Sequence, residues 1–100
     1  EATGWGSAIV GGSGAYTEGL TSVVVAGWDG QALGYASLVA SGYDNVADGG
    51  YTAVVSGKGN LASGSSAAVI SGRDNEAAGN YSLVTGGNSN STSTTDDIVP

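Results

Sequence analysis

The sequence predicts an all-β protein: a parallel β-solenoid of six 15-residue coils, each coil holding two short strands. Three observations carry this. A fifteen-residue repeat runs over residues 1–90, each repeat contains a period-two alternation of Ala and Gly, and each repeat also holds a run that is apolar on both faces. The composition agrees. Forty per cent of the chain is apolar, yet Phe and Met are absent and Val and Ala dominate, so a core of large side chains is excluded. With 19 glycines, long helices are disfavoured, because each interior Gly costs about 1 kcal/mol against Ala.

The repeat is read by cutting at Ser7, Ser22, Ser37, Thr52, Ala67 and Ser82, which makes the first position small and mostly hydroxylated. The third position is Ile9, Val24, Val39, Val54, Val69 and Val84, β-branched throughout. The sixth is Gly12, Gly27, Gly42, Gly57, Gly72 and Gly87. The ninth becomes Asn45, Asn60, Asn75 and Asn90 after Ala15 and Gly30. The eleventh is Ala32, Ala47, Ala62 and Ala77, with Thr17 and Thr92 as exceptions, and the thirteenth is Gly19, Gly34, Gly49, Gly64 and Gly79. Ala2 and Gly4 keep the same phase. Such self-similarity at a fixed period marks a stacked repeat architecture.

Positions one to five, as in Ser22-Val23-Val24-Val25-Ala26, form the first strand of a coil. The Gly at six and the Asp, Asn and Gly residues after it supply a turn, since these residues tolerate positive φ. Positions ten to fourteen then alternate, as in Gln31-Ala32-Leu33-Gly34-Tyr35, which is the strand period. The Ala and Gly at eleven and thirteen face a tight interior, and ten, twelve and fourteen face outward. Six coils about 4.8 Å apart make a rod on the order of 29 Å tall. After Asn90 the repeat gives way to Ser91-Thr92-Ser93-Thr94-Thr95-Asp96-Asp97, so residues 91–100 read as a polar linker or chain exit.

If position three points into the coil, positions two and four point out of it. That outer face holds Val23, Val25, Leu38, Val55, Ile70 and Leu83. A strand apolar on both faces is covered on both faces, and a single thin coil has nothing to cover the outer one. A second and third copy of the chain meeting along an axis would bury the stripe, so the sequence predicts a homotrimer. The alternative is a monomer that leaves this side in water, a contiguous patch of the kind that marks an interaction surface.

Charge and residue content exclude several functions. Nine acidic residues against two basic ones give −7, which opposes binding to nucleic-acid phosphates and to anionic membranes. Without Cys or His there is no disulfide framework, no thiolate and no His-ligated metal site. No apolar run approaches the roughly 18 residues of a membrane helix, so membrane insertion by this segment is not expected. The chain opens at Glu1 without an initiator Met or a signal-peptide pattern, as a processed or excised piece would.

No catalytic, cofactor-binding or metal-ligating residues are assigned, and an enzyme is not expected. Paired-carboxylate catalysis needs two carboxyls at fixed separation in a site that excludes water. Asp29, Asp44 and Asp74 instead occupy the eighth position, where Asp acts as a turn former, and Glu18 and Asp48 point outward at the twelfth. Asp44-Asn45 and Asp74-Asn75 stack oxygens in a way that suits calcium, but Gly59 interrupts the ladder.

The candidate ligand-binding residues are aromatic and basic. Position seven stacks Trp28, Tyr43, Lys58 and Arg73, and position fourteen stacks Trp5, Leu20 and Tyr35. Exposed rings of this kind stack on sugars or enter a groove of a partner protein. The same rings can instead seal the edges between protomers. Lys58 beside Tyr43 suits a cation–π contact, while Tyr51 and Tyr81 at position fifteen read as packing residues. An ice-binding face would need a regular outward Thr ladder, and Thr3, Thr21 and Thr85 are scattered.

The pattern Ser-x-Val-x-x-Gly-x-x-Asn-x-Ala-x-Gly-x-x, fullest at 37–51 and 67–81, resembles the head repeats of YadA-like trimeric autotransporter adhesins. The resemblance covers residues 1–90. It implies a left-handed parallel β-roll whose first strands line a trimer axis, an extracellular position on a bacterial surface, and attachment to host matrix proteins such as collagen or to host surface glycans. Similar repeats occur in bacteriophage and giant-virus fibre proteins, which implies a structural segment of a virion as the alternative. Two departures stand out. The best-known heads use a fourteen-residue unit, one residue shorter than this one, and no neck, stalk or β-barrel anchor follows within these 100 residues.

Overall fold

The computed structural model describes all residues from Glu1 to Pro100. Its strands form two parallel sheets that share the coils between them. The first sheet is built from β1 (Ala8–Ile9), β3 (Val23–Val24), β5 (Leu38–Val39), β7 (Ala53–Val54), β9 (Ala68–Val69), β11 (Leu83–Val84) and β13 (Ile98–Val99), in that order. The second holds β2 (Tyr16–Thr17), β4 (Gln31–Ala32), β6 (Val46–Ala47), β8 (Leu61–Ala62), β10 (Glu76–Ala77) and β12 (Ser91–Thr92). Register steps by fifteen throughout: Val24 pairs with Val39, and Ala47 with Ala62. The chain is a β-solenoid of six full coils over residues 7–96, flanked by part-coils at 1–6 and 97–100. Its extents of 31 × 21 × 11 Å match a stack of rungs about 4.8 Å apart.

The core is one residue thick. Val24, Val39, Val54, Val69 and Val84 from the first sheet meet Ala32, Ala47, Ala62 and Ala77 from the second, and all are buried. Only a β-branched residue facing Ala fills so narrow a lumen, which is why position three never carries Leu and position eleven never exceeds Thr. Thr92 fits by donating its hydroxyl to Ser82 Oγ at 2.8 Å, whereas the buried Thr17 hydroxyl has no partner.

The strands are shorter than the five-residue runs expected. Strands β2, β4, β6 and β8 end where two successive amides converge on one carbonyl of the next coil. Leu33 and Gly34 both donate to Ala47 O, at 2.8 and 3.2 Å, and Asp48 and Gly49 both donate to Ala62 O, at 2.9 and 3.2 Å. That doubling kinks the chain into its corner. Position thirteen is glycine because a Cβ there would stand no farther than 2.5 Å from the carbonyl oxygen of the equivalent residue one coil on. The constraint acts along the stack rather than across the lumen.

Corners fall at positions six, eight and fifteen, where φ is positive. Position six is glycine with φ between +92° and +106°, and position eight holds Asp29, Asp44 and Asp74 at φ +51° to +58°. Aspartate is thus a turn former, as read from sequence. The Asn residues are not. Asn45, Asn60 and Asn75 keep negative φ and are buried. Each serves as a spacer between coils: Asn60 Nδ2 donates to Ser56 O at 3.1 Å and to Gly72 O at 3.0 Å, while its Oδ1 accepts the Asn75 amide at 3.0 Å. Asn45 and Asn75 repeat the scheme.

Residues 91–100 are not a linker. Ser91 and Thr92 pair with Glu76 and Ala77, and Ile98 and Val99 pair with Leu83 and Val84. The polar Ser/Thr run still follows the coil because Thr92 is small enough for the lumen and Ser91, Ser93, Thr94 and Thr95 are exposed.

Candidate functional site

The first-sheet outer face carries the apolar stripe in the arrangement expected. Val23, Leu38 and Leu83 at position two are half-buried, and Val25, Val55 and Ile70 at position four are 40, 38 and 40% exposed. Successive rungs place these side chains in two parallel rows, with Ala53 and Ala68 filling the position-two row and Ala40 the position-four row, so the face is uncharged and interrupted only by small residues. No residue of this chain folds over it.

Position seven forms a second linear feature. Ser13, Trp28, Tyr43, Lys58, Arg73 and Asn88 are joined rung to rung by parallel bridges, the amides of the first five each donating to the position-six glycine carbonyl of the following coil. The bridges put Trp28, Tyr43, Lys58 and Arg73 on one ridge, all exposed, with Trp28 59% open. Lys58 Nζ lies 5.5 Å from the centre of the Tyr43 ring, within the range of a cation–π contact. Arg73 Nε is 3.8 Å from Asp74 Oδ2, both side chains in water, so the pair adds little to stability. The ridge therefore grades from aromatic to basic along the rod axis.

The fourteenth-position ladder does not join that ridge. Trp5, Leu20 and Tyr35 lie on the turn that leads from the second sheet back to the first, at the opposite edge of the coil from the position-seven turn. Trp5 is 82% exposed, and Tyr35 meets Tyr51 edge-on, with centroids 5.4 Å apart and planes at 66°. Tyr51 and Tyr81, read as packing residues, project from positive-φ corners and are largely exposed. Sequence spacing showed each ladder but not which ladders share an edge. The Asn column is masked in the sequence because Asn also suits turns. Its restriction to position nine, beside the Asp and Gly of position eight, was the available signal.

Asp29 and Asp44 stack on adjacent rungs, and Gly59 separates them from Asp74. Comparison with protein-family models, with curated proteins and with solved structures gives no match to this chain.

Proposed function

We propose that this chain is a rigid, non-enzymatic head segment of an extracellular homotrimer, a left-handed β-roll that holds an adhesive surface away from the structure bearing it. The observation that carries the reading is the uncovered apolar stripe Val23, Val25, Leu38, Val55, Ile70 and Leu83 on a face with no charge. With each of these side chains already more than half buried in its own chain, leaving the rest in water forfeits about 0.5–1 kcal/mol apiece, on the order of 5 kcal/mol over six, a large share of the stability of a small domain. Three copies packed around an axis through this face recover that term, and the small Ala53 and Ala68 let three sheets approach closely.

With the first sheets inward, the position-seven ridge lies at the outer edge of each protomer. Trp28 and Tyr43 offer ring faces to a sugar or an apolar side chain, and Lys58 and Arg73 offer cations to an acidic group. The ligand class that fits is a host matrix protein or surface glycan, and the setting a bacterial surface, as the repeat pattern's resemblance to YadA-like heads implies. A virion fibre segment is the second reading, favoured by the same roll with the ridge serving only to seal protomer edges.

Sedimentation equilibrium tests the assembly. A species of three chains is expected, and Val25→Lys with Val55→Lys, which sets like charges around the axis, is expected to abolish it. A single folded species near 9.6 kDa at micromolar concentration would overturn the trimer. A matrix-protein and glycan array probed with the trimer then separates an adhesive head from a passive fibre segment.

A further inference from the structure

The coil stack carries signals that permit another coil at every position but a few, and those few cluster at the C-terminal end. Three positions have a meaning only against the coil that follows. At position thirteen, Gly4, Gly19, Gly34, Gly49, Gly64 and Gly79 are each followed by a coil whose backbone occupies the space of a Cβ. The next residue in the series is Thr94, which has a branched side chain in that space. At position four, the amides of Val10, Val25, Ala40, Val55, Ile70 and Thr85 each donate to a carbonyl of the following coil at 2.9–3.0 Å. The next residue in that series is Pro100, which has no amide hydrogen to give.

The first position adds a third departure. Ser22, Ser37, Thr52, Ala67 and Ser82 are buried beneath their neighbours, and Ser22 and Thr52 donate their hydroxyls to the carbonyls of Gly19 and Gly49 at 2.7 Å. Asp97 stands at that place on the last rung. Its carboxylate cannot donate, and a further coil would bury it away from the two cations of the chain, Lys58 and Arg73, both on the position-seven ridge. Burying an unpaired carboxylate is strongly unfavourable. The Asn column offers no such obstacle, since Asn90 at its end still presents the acceptor that a further amide would use.

We infer that Thr94, Asp97 and Pro100 form a built stop, which bars both a further in-register coil and the end-on stacking of a second copy of this chain through its first coil. Steric, hydrogen-bonding and electrostatic blocks act at three separate points of one rung, and each leaves the coil below undisturbed: β12 and β13 still pair in register with β10 and β11. The stop concerns the roll alone and holds whether the protein is a monomer or a trimer.

The test adds one coil. A copy of Ser56–Ile70, which continues the phase from position five to position four, is appended after Pro100 in two backgrounds: the native chain, and a variant carrying Thr94→Gly, Asp97→Ser and Pro100→Val. Amide hydrogen exchange read by mass spectrometry reports whether the added segment is ordered. In the native background it should exchange like an unfolded peptide, and in the triple variant it should slow on the order of 100-fold. Protection in the native background would overturn the stop, and so would its absence from both. In the unextended chain Thr94→Gly should leave the melting temperature nearly unchanged, because nothing stands above that residue.

Discussion

Replacing Asn60 with Ala measures what the Asn column contributes. The side chain makes three hydrogen bonds, to Ser56 O, Gly72 O and the amide of Asn75. Gly72 O keeps a second donor, the Lys58 amide at 3.0 Å, so its loss is small. The Asn75 amide and Ser56 O have no other partner. A buried amide left unpaired costs about 1–3 kcal/mol and a partly buried carbonyl about 1 kcal/mol, so Asn60→Ala should lose about 2–4 kcal/mol. Asn90→Ala is the internal control. Asn90 Oδ1 has no coil above it, and Nδ2 donates to Gly86 O alone at 2.9 Å, so about 1 kcal/mol is expected there. Urea unfolding followed by far-ultraviolet circular dichroism, at one fixed protein concentration, gives both values. In a domain of this size 1 kcal/mol shifts the melting temperature by about 4–8 °C, so the two variants are readily resolved. Equal losses at the two positions, or a loss below about 0.5 kcal/mol at Asn60, would show that the column does not hold the coils in register.

Three further outcomes follow from the same coil geometry. Val54→Asp places a carboxylate in a lumen lined by Ala and Val, costs several kcal/mol and should leave the chain without its β-sheet dichroism; a native-like melt would refute the assigned register. Thr17→Val keeps the shape of a buried side chain while removing a hydroxyl that has no partner, and should raise stability by about 1 kcal/mol, whereas Thr92→Val, which breaks the bond to Ser82, should lower it; a loss at Thr17 would reveal an unrecognised partner. Trp28→Ala with Tyr43→Ala should leave assembly and melting unchanged and weaken attachment to a matrix-protein or glycan array, whereas reduced melting with unchanged attachment would assign the ridge to sealing protomers.

The solenoid was legible because its constraints act once per coil and so print themselves on the sequence at a fixed spacing. Val at position three and Ala at position eleven answer to a lumen of constant width, and Gly at positions six and thirteen answers to one corner and one close approach, so six repetitions expose each rule. What failed to print was anything decided at an end or between edges. Ser91-Thr92-Ser93 has the polarity of a linker, although Thr92 satisfies the same lumen as Thr17. Which aromatic ladders share a ridge depends on which turn each occupies, and Trp28 and Tyr35 separate only once the coil is closed. The roles of Asp44 and Asn45, neighbours in sequence, diverged because one sits at a positive-φ corner facing water and the other beneath the following coil.

The rungs of this molecule bond to one another along the rod axis, and that direction decides how the rod carries load. Tension applied between the two ends of one chain would pull its backbone hydrogen bonds straight apart, one interface at a time, since within the chain each coil is held only by the coils beside it. The rod would peel from a terminus rather than break as a whole, and its resistance would not grow with added coils. Force entering sideways through the position-seven ridge meets a different object. It spreads over several rungs at once and is shared by the Val54-centred lumen and the Asn column. A rod so built is weak as a rope and stiff as a strut.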